Sequence, residues 1–328
     1  MPICKNAPDC VEGLADQLFI FVSLYVIQEN RTMTSTERSH SESQQEHFIV
    51  SSDSISLFSK YYQAKGQQNA PTMMIVHGMS EHSARYAHVA EAFQKEDWNV
   101  VISDLRGHGK SGGVPTHISH FDEYLNDLEA VREHYLLDFE NSFLLGHSMG
   151  ALLAALFVEK FPGRFRGLVM FSPLLRVSVP IPRRTVALGK VLTFVAPKTR
   201  FRSRVPLADT TRNLKAIQER VSDPLAQRSV TAKWYFAMRK ALKEVWENAG
   251  RIQIPVLLMQ AGQDRIVDPH AASPWLERTS SPHKELKILP DHLHELHHEA
   301  DWADTLKLVI DWLEIHNGMG IADAVRSA

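Results

Sequence analysis

The chain has 328 residues, of which 44% are hydrophobic, so it can bury the core of one large α/β domain with an insertion or of two smaller domains. Its 36 Lys and Arg nearly balance 38 Asp and Glu, and the net charge of -2 gives no reason to expect nucleic acid as a partner. Both cysteines, Cys4 and Cys10, lie at the beginning of the chain. From residue 11 onward, disulfides, a cysteine nucleophile and cysteine-ligated zinc are therefore excluded.

Residues 1–45 are predicted to form a leader outside the folded part of the chain. Their apolar run, residues 18–27, is much shorter than the roughly 20 residues of a membrane-spanning helix, and no small-residue cleavage site of a secretory signal follows it. Two interpretations stay open. One is an extension without function, or a start codon assigned upstream of a disordered stretch that opens at Met33; the other is a membrane-associating segment. We expect a cytoplasmic location, with peripheral membrane contact as the alternative.

Further along the chain, short apolar runs alternate with helical patterns. The predicted strands are residues 72–77, 98–103, 142–145, 167–171, 255–260 and 286–289. The predicted helices are residues 85–96, 122–135, 151–161 and 302–315. Alternation of this kind predicts an α/β fold, a mostly parallel sheet with helices on both faces.

Residues 173–250 break this alternation, because they contain several helical segments, such as residues 231–247, and no convincing strand. They lie between two predicted core strands, so they are predicted to be a helical cap inserted into the sheet domain. The resulting organisation is a first core part at 46–172, the cap at 173–250 and a second core part at 251–328.

Residues 146–150, Gly-His-Ser-Met-Gly, match G-x-S-x-G between an apolar strand and a helix, which is the setting of the nucleophile in the α/β-hydrolase fold. The tight turn forces the serine into strained dihedrals, and side chains larger than hydrogen at the flanking positions would clash. The hydroxyl is thereby exposed above the sheet, beside a helix N-terminus that favours a developing negative charge. Ser148 is therefore the predicted nucleophile.

An acid and then a histidine are expected after the serine, because the catalytic residues of this fold follow in the order Ser, Asp or Glu, His. Asp264 comes directly after the strand predicted at 255–260, at the sheet edge where ligands bind in parallel α/β folds. It is the predicted acid, and Asp268, slightly further along the same loop, is its rival.

The histidine candidates, His292, His294, His297 and His298, are clustered after the last predicted strand. Residues 294–298 also match H-E-x-x-H, which would place two zinc ligands, His294 and His298, on one helical face. The zinc interpretation leaves the serine motif and the acid loop unexplained. His294 is therefore predicted to be the general base, and neither a metal nor a cofactor is expected.

Two backbone N–H groups are predicted to stabilise the oxyanion of the tetrahedral intermediate. One belongs to Met149, which follows the nucleophile, and the other comes from the loop after an earlier strand. That loop begins with His77 and Gly78, where glycine permits a close approach, so Met79 supplies the second N–H.

Six segments taken together resemble the monoacylglycerol lipase and bacterial lysophospholipase group, often classified with serine aminopeptidase-like hydrolases. The segments are HGMSEHSARY (77–86), DLRGHGKSGG (104–113), GHSMG (146–150), SDPL (222–225), AGQDRIVD (261–268) and HELHHE (294–299). The resemblance implies a Ser148, Asp264 and His294 triad, with Met79 and Met149 as oxyanion donors. It also implies a helical cap over an acyl pocket, and it matches DLRGHGKSGG to a turn of the family that we interpret as structural.

These residues predict a serine hydrolase that cleaves carboxylic esters of lipid-like substrates through an acyl-enzyme. Monoacylglycerol and lysophospholipid are the main candidate substrates, and a general carboxylesterase is the alternative. A zinc hydrolase and a catalytically silent binding protein of this fold are further alternatives. A peptidase is suggested only by the family's naming, because the predicted cap offers no acidic site for a free amino terminus.

The predicted cap is strongly basic. It has sixteen Lys and Arg against five Asp and Glu, a net charge of +11, whereas the rest of the chain carries -13. Together with apolar runs such as residues 191–196, this charge would let the cap dock on an anionic lipid surface. The alternative is a solvated basic face that compensates the acidic core, and the sequence leaves both open, together with the oligomeric state.

Overall fold

The computed structural model describes residues 44–66, 69–179, 181–203 and 205–317. Within these ranges the strands are β1 (Gln44–Val50), β2 (Ser56–Tyr62), β3 (Thr72–Val76), β4 (Asn99–Ser103), β5 (Ser142–His147), β6 (Leu168–Phe171), β7 (Arg200–Arg202), β8 (Ser229–Thr231), β9 (Val256–Ala261) and β10 (Lys284–Leu289). The α-helices there are α1 (Ala87–Lys95), α2 (Asp122–His134), α3 (Met149–Lys160), α4 (Arg183–Val195), α5 (Leu214–Ser222), α6 (Ala232–Glu247), α7 (Ala272–Glu277) and α8 (Trp302–Asn317).

One sheet contains most of these strands, in the order β1-β2-β4-β3-β5-β6-β9-β10. From β4 to β10 in this order, neighbouring strands are parallel, and β2 is antiparallel to β4. Parallel strands have their carboxyl ends at one edge of the sheet, so the loops after β3, β5, β9 and β10 emerge on the same side. The predicted mostly parallel sheet is confirmed.

Helices cover both faces of this sheet, as the alternation of strands and helices predicted. Successive side chains of a strand point to opposite faces. In β3, Met74 and Val76 join a buried cluster with α2, α3, α6 and α7, whereas Met73 and Ile75 join a second cluster with α1 and α8. Burial on both faces explains why the parallel strands read as continuous apolar runs.

The prediction that residues 173–250 contain no strand is wrong. In this segment β7 and β8 form a small antiparallel sheet, in which Phe201 lies opposite Val230. Strands of three residues are too short to show a period in the sequence. The sequence prediction also lacked β1 and β2, whose half-buried patterns at the end of the sheet differ from the apolar runs of the central strands.

The starts of two helices and the end of the predicted leader differ from prediction. A 3-10 turn, Ser83–Tyr86, occupies the beginning of the helix predicted at 85–96, so that α1 begins only at Ala87. The central helix α3 begins at Met149, slightly before its predicted start. Residues 44 and 45, predicted as leader, belong to β1, and the remainder of that leader lies outside the described residues.

The segment between β6 and β9 contains α4, α5, α6 and the two-stranded sheet. Its helix α6 packs against α3 in the core, and α4 packs against α6. Most of α4 is exposed to solvent. Over the part of the chain that the structure describes, no helix combines the length and the apolar character that crossing a membrane would require.

Candidate active site

Ser148 lies in the turn between β5 and α3, where its backbone adopts φ 53° and ψ -115°. A positive φ is strained for a residue other than glycine. Close packing requires glycine on both sides: a Cβ on Gly146 would lie 2.4 Å from the Gly150 carbonyl oxygen, and a Cβ on Gly150 would lie 2.0 Å from the Val76 carbonyl oxygen. The Ser148 N–H donates to the Phe171 carbonyl at 2.9 Å, which ties this turn to the next strand.

The His294 ring connects the Ser148 hydroxyl to a carboxylate. The hydroxyl donates to His294 Nε2 at 2.8 Å, and His294 Nδ1 donates to Asp264 Oδ2 at 2.7 Å. All three residues are buried. The structure therefore brings together the predicted nucleophile, base and acid, although they come from loops far apart in the chain. Such an arrangement lets the imidazole accept the hydroxyl proton while the carboxylate holds its tautomer.

The Asp264 carboxylate is also fixed by its own loop. Its Oδ1 accepts hydrogen bonds from the Ile266 N–H at 2.9 Å and from the Val267 N–H at 3.0 Å. Burial acts to raise the pKa of Asp264, but the charge of His294 and these hydrogen bonds outweigh burial and hold the pKa below its ordinary value. The carboxylate therefore stays ionised beside the histidine.

Asp268, the rival acid, is paired elsewhere, and the geometry does not fit the zinc interpretation. Asp268 accepts a hydrogen bond from Arg176 at 2.8 Å. The H-E-x-x-H segment is not an α-helix, because only a 3-10 turn, Leu296–His298, follows His294. The two proposed zinc ligands therefore do not share a helical face, and both ring nitrogens of His294 are already hydrogen-bonded.

The N–H groups of Met79 and Met149 lie in the loop after β3 and at the first position of α3. The first N–H groups of a helix have no partner within the helix. In the described ranges, neither of these two N–H groups donates a hydrogen bond to a protein atom. Gly78 permits its loop to pack closely, since a Cβ there would lie 2.8 Å from both Glu81 Oε2 and His147 Nδ1.

The loop after β4, which contains DLRGHGKSGG, is hydrogen-bonded to the segment that follows β3, residues 77–83, which we call the oxyanion loop. Asp104 accepts hydrogen bonds from the Ser83 N–H at 2.6 Å and from the Lys110 N–H at 2.7 Å. The ring of His77 accepts a hydrogen bond from the Leu105 N–H at 2.9 Å. These contacts favour the structural interpretation of the loop.

A buried polar cluster behind the serine turn was missed from the sequence. Glu81 is 1% exposed, and its Oε2 accepts hydrogen bonds from the Gly78 N–H at 2.8 Å, the Tyr86 hydroxyl at 2.7 Å and His147 Nδ1 at 3.2 Å. Burial acts to raise the pKa of Glu81, but the charge of His147 and its hydrogen bond bring the pKa well below the ordinary range. The family-like segments contain these residues, so the only sequence signal was their position in those segments.

Arg85 neutralises the acids of this cluster. Its Nε lies 3.5 Å from Glu81 Oε1, and its Nη2 donates to Glu295 Oε2 at 2.9 Å. Two groups of buried side chains here have a spacing that would suit a metal ion: Glu81 with His147 and His297, and Glu81 with Glu295 and His298. The guanidinium already supplies a positive charge to both carboxylates, so these acids do not require a cation.

The segment between β6 and β9 contacts both loops of the site. Arg220 of α5 donates to Glu295, the neighbour of His294. Asp223, directly after α5, accepts a hydrogen bond from His82 Nε2 at 2.6 Å, and His82 belongs to the oxyanion loop. The position of α5 is thus coupled to the loops that contain the predicted base and a predicted oxyanion donor.

The sequence profile of the family described as serine aminopeptidase, S33, matches residues 67–301, which is more than half of the chain. The chain belongs to this family of α/β-hydrolases. The predicted family and fold are confirmed by this match and by the solved structures that resemble the chain.

Relatives of known activity include monoglyceride lipases and a phospholipase. Human monoglyceride lipase is 31% identical over 256 residues, which cover 76% of this chain and 84% of the human protein. Phospholipase YtpA from Bacillus subtilis is 29% identical over 245 residues, which cover 74% of this chain and 95% of that protein. The crystal structure of Paleococcus ferrophilus monoacylglycerol lipase matches with a TM-score of 0.72 at 27% identity, over 79% of this chain and 99% of that chain. The protein is an ester hydrolase of the α/β-hydrolase type.

Proposed function

We propose that the protein hydrolyses carboxylic esters of lipid-like substrates through an acyl-enzyme formed on Ser148. The observation that carries this proposal is the hydrogen-bonded series from Ser148 Oγ through His294 to Asp264 Oδ2, with lengths of 2.8 and 2.7 Å. A hydroxyl near neutral pH becomes a useful nucleophile only when a positioned base accepts its proton.

In the first half of the reaction, Ser148 Oγ attacks the ester carbonyl carbon while His294 Nε2 takes the hydroxyl proton. The tetrahedral intermediate collapses when the C–O bond to the alcohol breaks and His294 returns the proton to the leaving oxygen. In the second half, water gives a proton to His294 and attacks the acyl carbon, which releases the acid and restores Ser148. Asp264 holds the imidazole in the tautomer that both halves need.

The oxyanion of each intermediate would be stabilised by the N–H groups of Met79 and Met149. Their lack of a protein acceptor among the described residues supports this role, because unpaired donors aimed at a developing charge need no rearrangement during the reaction. The N-terminus of α3 adds a favourable dipole at the same place.

Monoacylglycerol and lysophospholipid are the substrate classes that we propose. This proposal is supported by the human relative, a monoglyceride lipase, and by the Bacillus relative, a phospholipase, since both act on lipid esters. A general carboxylesterase remains the alternative, and short-chain esters of simple alcohols distinguish it. No cofactor takes part in the proposed reaction.

Labelling with a fluorophosphonate probe and hydrolysis of a substrate panel test the proposal. The panel contains monoacylglycerols, lysophospholipids and short esters, with a Ser148→Ala variant as the blank. We expect the wild-type protein to label and to prefer the lipid esters, and the variant to do neither. A wild-type protein that does not label, or a variant that labels normally, would contradict the assignment of Ser148.

We also propose that the basic segment between β6 and β9 binds anionic lipid surfaces. Large apolar side chains of α4 are strongly exposed, with Phe194 82% and Val195 72% accessible. The basic side chains of the same helix, Arg183, Arg184 and Lys190, form no ion pair with any residue that the structure describes. An exposed apolar face flanked by unpaired positive charge is typical of helices that lie in a lipid interface.

Vesicle sedimentation at low and high salt tests the lipid contact. We expect stronger binding to vesicles that contain phosphatidylserine than to pure phosphatidylcholine, weakening as salt rises. Phe194→Ser should reduce binding, whereas Ile315→Ser, at a 61% exposed position of α8, serves as the matched control. Equal binding to both kinds of vesicle at low salt would contradict this part of the proposal.

A further inference from the structure

Glu81 contacts three parts of the site through one oxygen. Its Oε2 accepts from the Gly78 N–H, which directly precedes Met79 and its oxyanion donor, and from His147, which directly precedes Ser148. The Tyr86 hydroxyl donates to the same oxygen at 2.7 Å and anchors the carboxylate to the start of α1. A displacement of this carboxylate would therefore move the oxyanion loop and the serine turn together.

Both ring nitrogens of His147 face acceptors. Nδ1 lies 3.2 Å from Glu81 Oε2, and Nε2 lies 3.3 Å from the carbonyl oxygen of His294. A carbonyl oxygen can only accept, so Nε2 must donate, and an ionised Glu81 requires a donor at Nδ1 as well. The Tyr86 hydroxyl, 3.3 Å from Nδ1, uses its proton toward Glu81 and leaves a lone pair toward the ring.

The surroundings of the two rings favour His147, rather than His297, as the ring that carries a second proton beside Glu81. The His297 ring packs 4.7 Å from the His147 ring, but its Nε2 is 3.8 Å from Glu81 Oε1, which is too long for a hydrogen bond. Burial and the charge of His147 lower the pKa of His297 to about 4, so that this ring is neutral near neutral pH. Arg85, a further charged neighbour, has its Nε 3.5 Å from the other oxygen of Glu81.

We infer that a buried ion pair between the Glu81 carboxylate and a doubly protonated His147 fixes the relative positions of the oxyanion loop, the serine turn and the His294 backbone. Glu81 and His147 are thus positioning residues for the reaction. His147 places the backbone of His294 through its carbonyl, and Glu81 fixes the peptide that precedes Met79. This inference rests on the proposed roles of Ser148, His294 and Met79.

Loss of this ion pair should weaken the stabilisation of the transition state rather than the binding of the substrate. Neither residue is among those proposed to contact the ester, so ground-state binding should not depend on them. The alignment of the oxyanion donors and the base matters most when charge develops on the substrate. Loss of the ion pair should therefore lower kcat and leave KM nearly unchanged.

The test uses Glu81→Gln, His147→Gln and the milder Tyr86→Phe in the full chain, with rates normalised to active sites titrated by a fluorophosphonate. On a p-nitrophenyl ester we expect kcat to fall roughly 10- to 100-fold in the first two variants and less in the third, with KM within about twofold. A trifluoromethyl ketone, which forms an oxyanion adduct on serine, should lose affinity in parallel with kcat. A non-hydrolysable ether analogue of the ester should bind as before.

Glu159→Gln is the matched control, because it makes the same substitution at another buried glutamate that lies outside this cluster, and its kcat should equal that of the wild type. Nitrogen-15 NMR of labelled histidine, assigned with the His147→Gln variant, should show both His147 nitrogens protonated near neutral pH. A neutral His147, or a wild-type kcat in titrated Glu81→Gln and His147→Gln, would overturn the inference. Ser148→Ala separates this failure from that of the proposed function, which would show as normal labelling of that variant.

Discussion

Two helices of similar length, α3 and α4, have opposite surroundings. Every residue of α3 from Met149 to Glu159 is buried, and the helix packs against α2, α6 and the sheet. In α4, all of whose residues the structure describes, Gly189 alone is buried, and several large apolar side chains face solvent. Both helices contain apolar residues, but α4 also contains Arg183, Arg184 and Lys190, whereas the charged residues of α3 are confined to its end, at Glu159 and Lys160.

The two helices therefore differ in how tightly the surrounding structure constrains them. The helix α3 fixes the serine turn, because its first turn is wedged against β3 with no space for a side chain at Gly150. By contrast, α4 packs against α6, and most of its residues are exposed to solvent. Substitutions that add volume should therefore be costly in α3 and nearly neutral in α4.

The largest effect is expected for Gly150→Ala in α3. The added Cβ would lie 2.0 Å from the Val76 carbonyl oxygen and 2.6 Å from that of His77, and neither backbone position can move without disturbing β3. We expect a loss of about 4 kcal/mol or more in the free energy of unfolding, together with loss of fluorophosphonate labelling. Thermal unfolding followed by circular dichroism measures the first, and a variant with wild-type stability and labelling would contradict the packing argument.

A smaller effect of opposite sign is expected for Glu159→Gln, near the end of α3. Both carboxylate oxygens of Glu159 lack a hydrogen-bond partner in the part of the chain that the structure describes, and burial raises the pKa of this carboxyl from 4.5 to about 9, against the opposing charge of Arg251. The folded protein thus holds a proton that the unfolded chain loses above pH 4.5. Its stability therefore falls as pH rises from 4.5 through about 9. Glutamine does not titrate, so the variant should be more stable by on the order of 2 kcal/mol at about pH 8.

Unfolding curves of Glu159→Gln and the wild type across this pH range measure that difference. The gain should shrink toward pH 4.5, where the carboxyl is protonated in both the folded and the unfolded states. Glu314→Gln, at an exposed position of α8, is the control for the loss of one negative charge. A gain that does not depend on pH would show that Glu159 ionises normally in the folded protein.

The smallest effect is expected for Gly189→Ala in α4, which pairs with Gly150→Ala as the same substitution in the other helix. The added Cβ would meet only Phe236, at an ordinary contact distance of 3.5 Å. Alanine in place of glycine within a helix should stabilise the protein by about 0.5–1 kcal/mol, with no change in esterase activity. Clear destabilisation would mean that α4 is packed more tightly than the structure indicates.

Much of the fold was legible in the sequence because the central strands are buried on both faces. Such strands read as short apolar runs, and β3, β4, β6 and β9 lie at or within a residue or two of their predicted positions. The strands that were missed, β1, β2, β7 and β8, lie at the end of the sheet or in a small separate sheet. Their pairing depends on partners distant in the chain, and a local pattern does not record it.

The candidate site likewise has parts that the local sequence predicts and parts that only the folded chain defines. Ser148 could be predicted because its glycine neighbours are a local steric requirement of the turn, and Asp264 and His294 because chain order and strand ends predict where they emerge. The choice of His294 over its neighbours, and of Asp264 over Asp268, was a prediction for which only the folded chain supplies distances.

The sequence by itself determined the strained serine turn, the alternation that makes a parallel sheet and the basic character of the segment between β6 and β9. These are local or compositional properties, so they do not depend on the rest of the fold. Only the tertiary structure decided that Glu81 and His147 meet behind that turn and that Glu159 is buried without a partner. Glu81 and His147 come from different loops, and the surroundings of Glu159 come from elements far from it in the chain. The charge state and the contacts of such groups therefore become defined only when the fold brings them together.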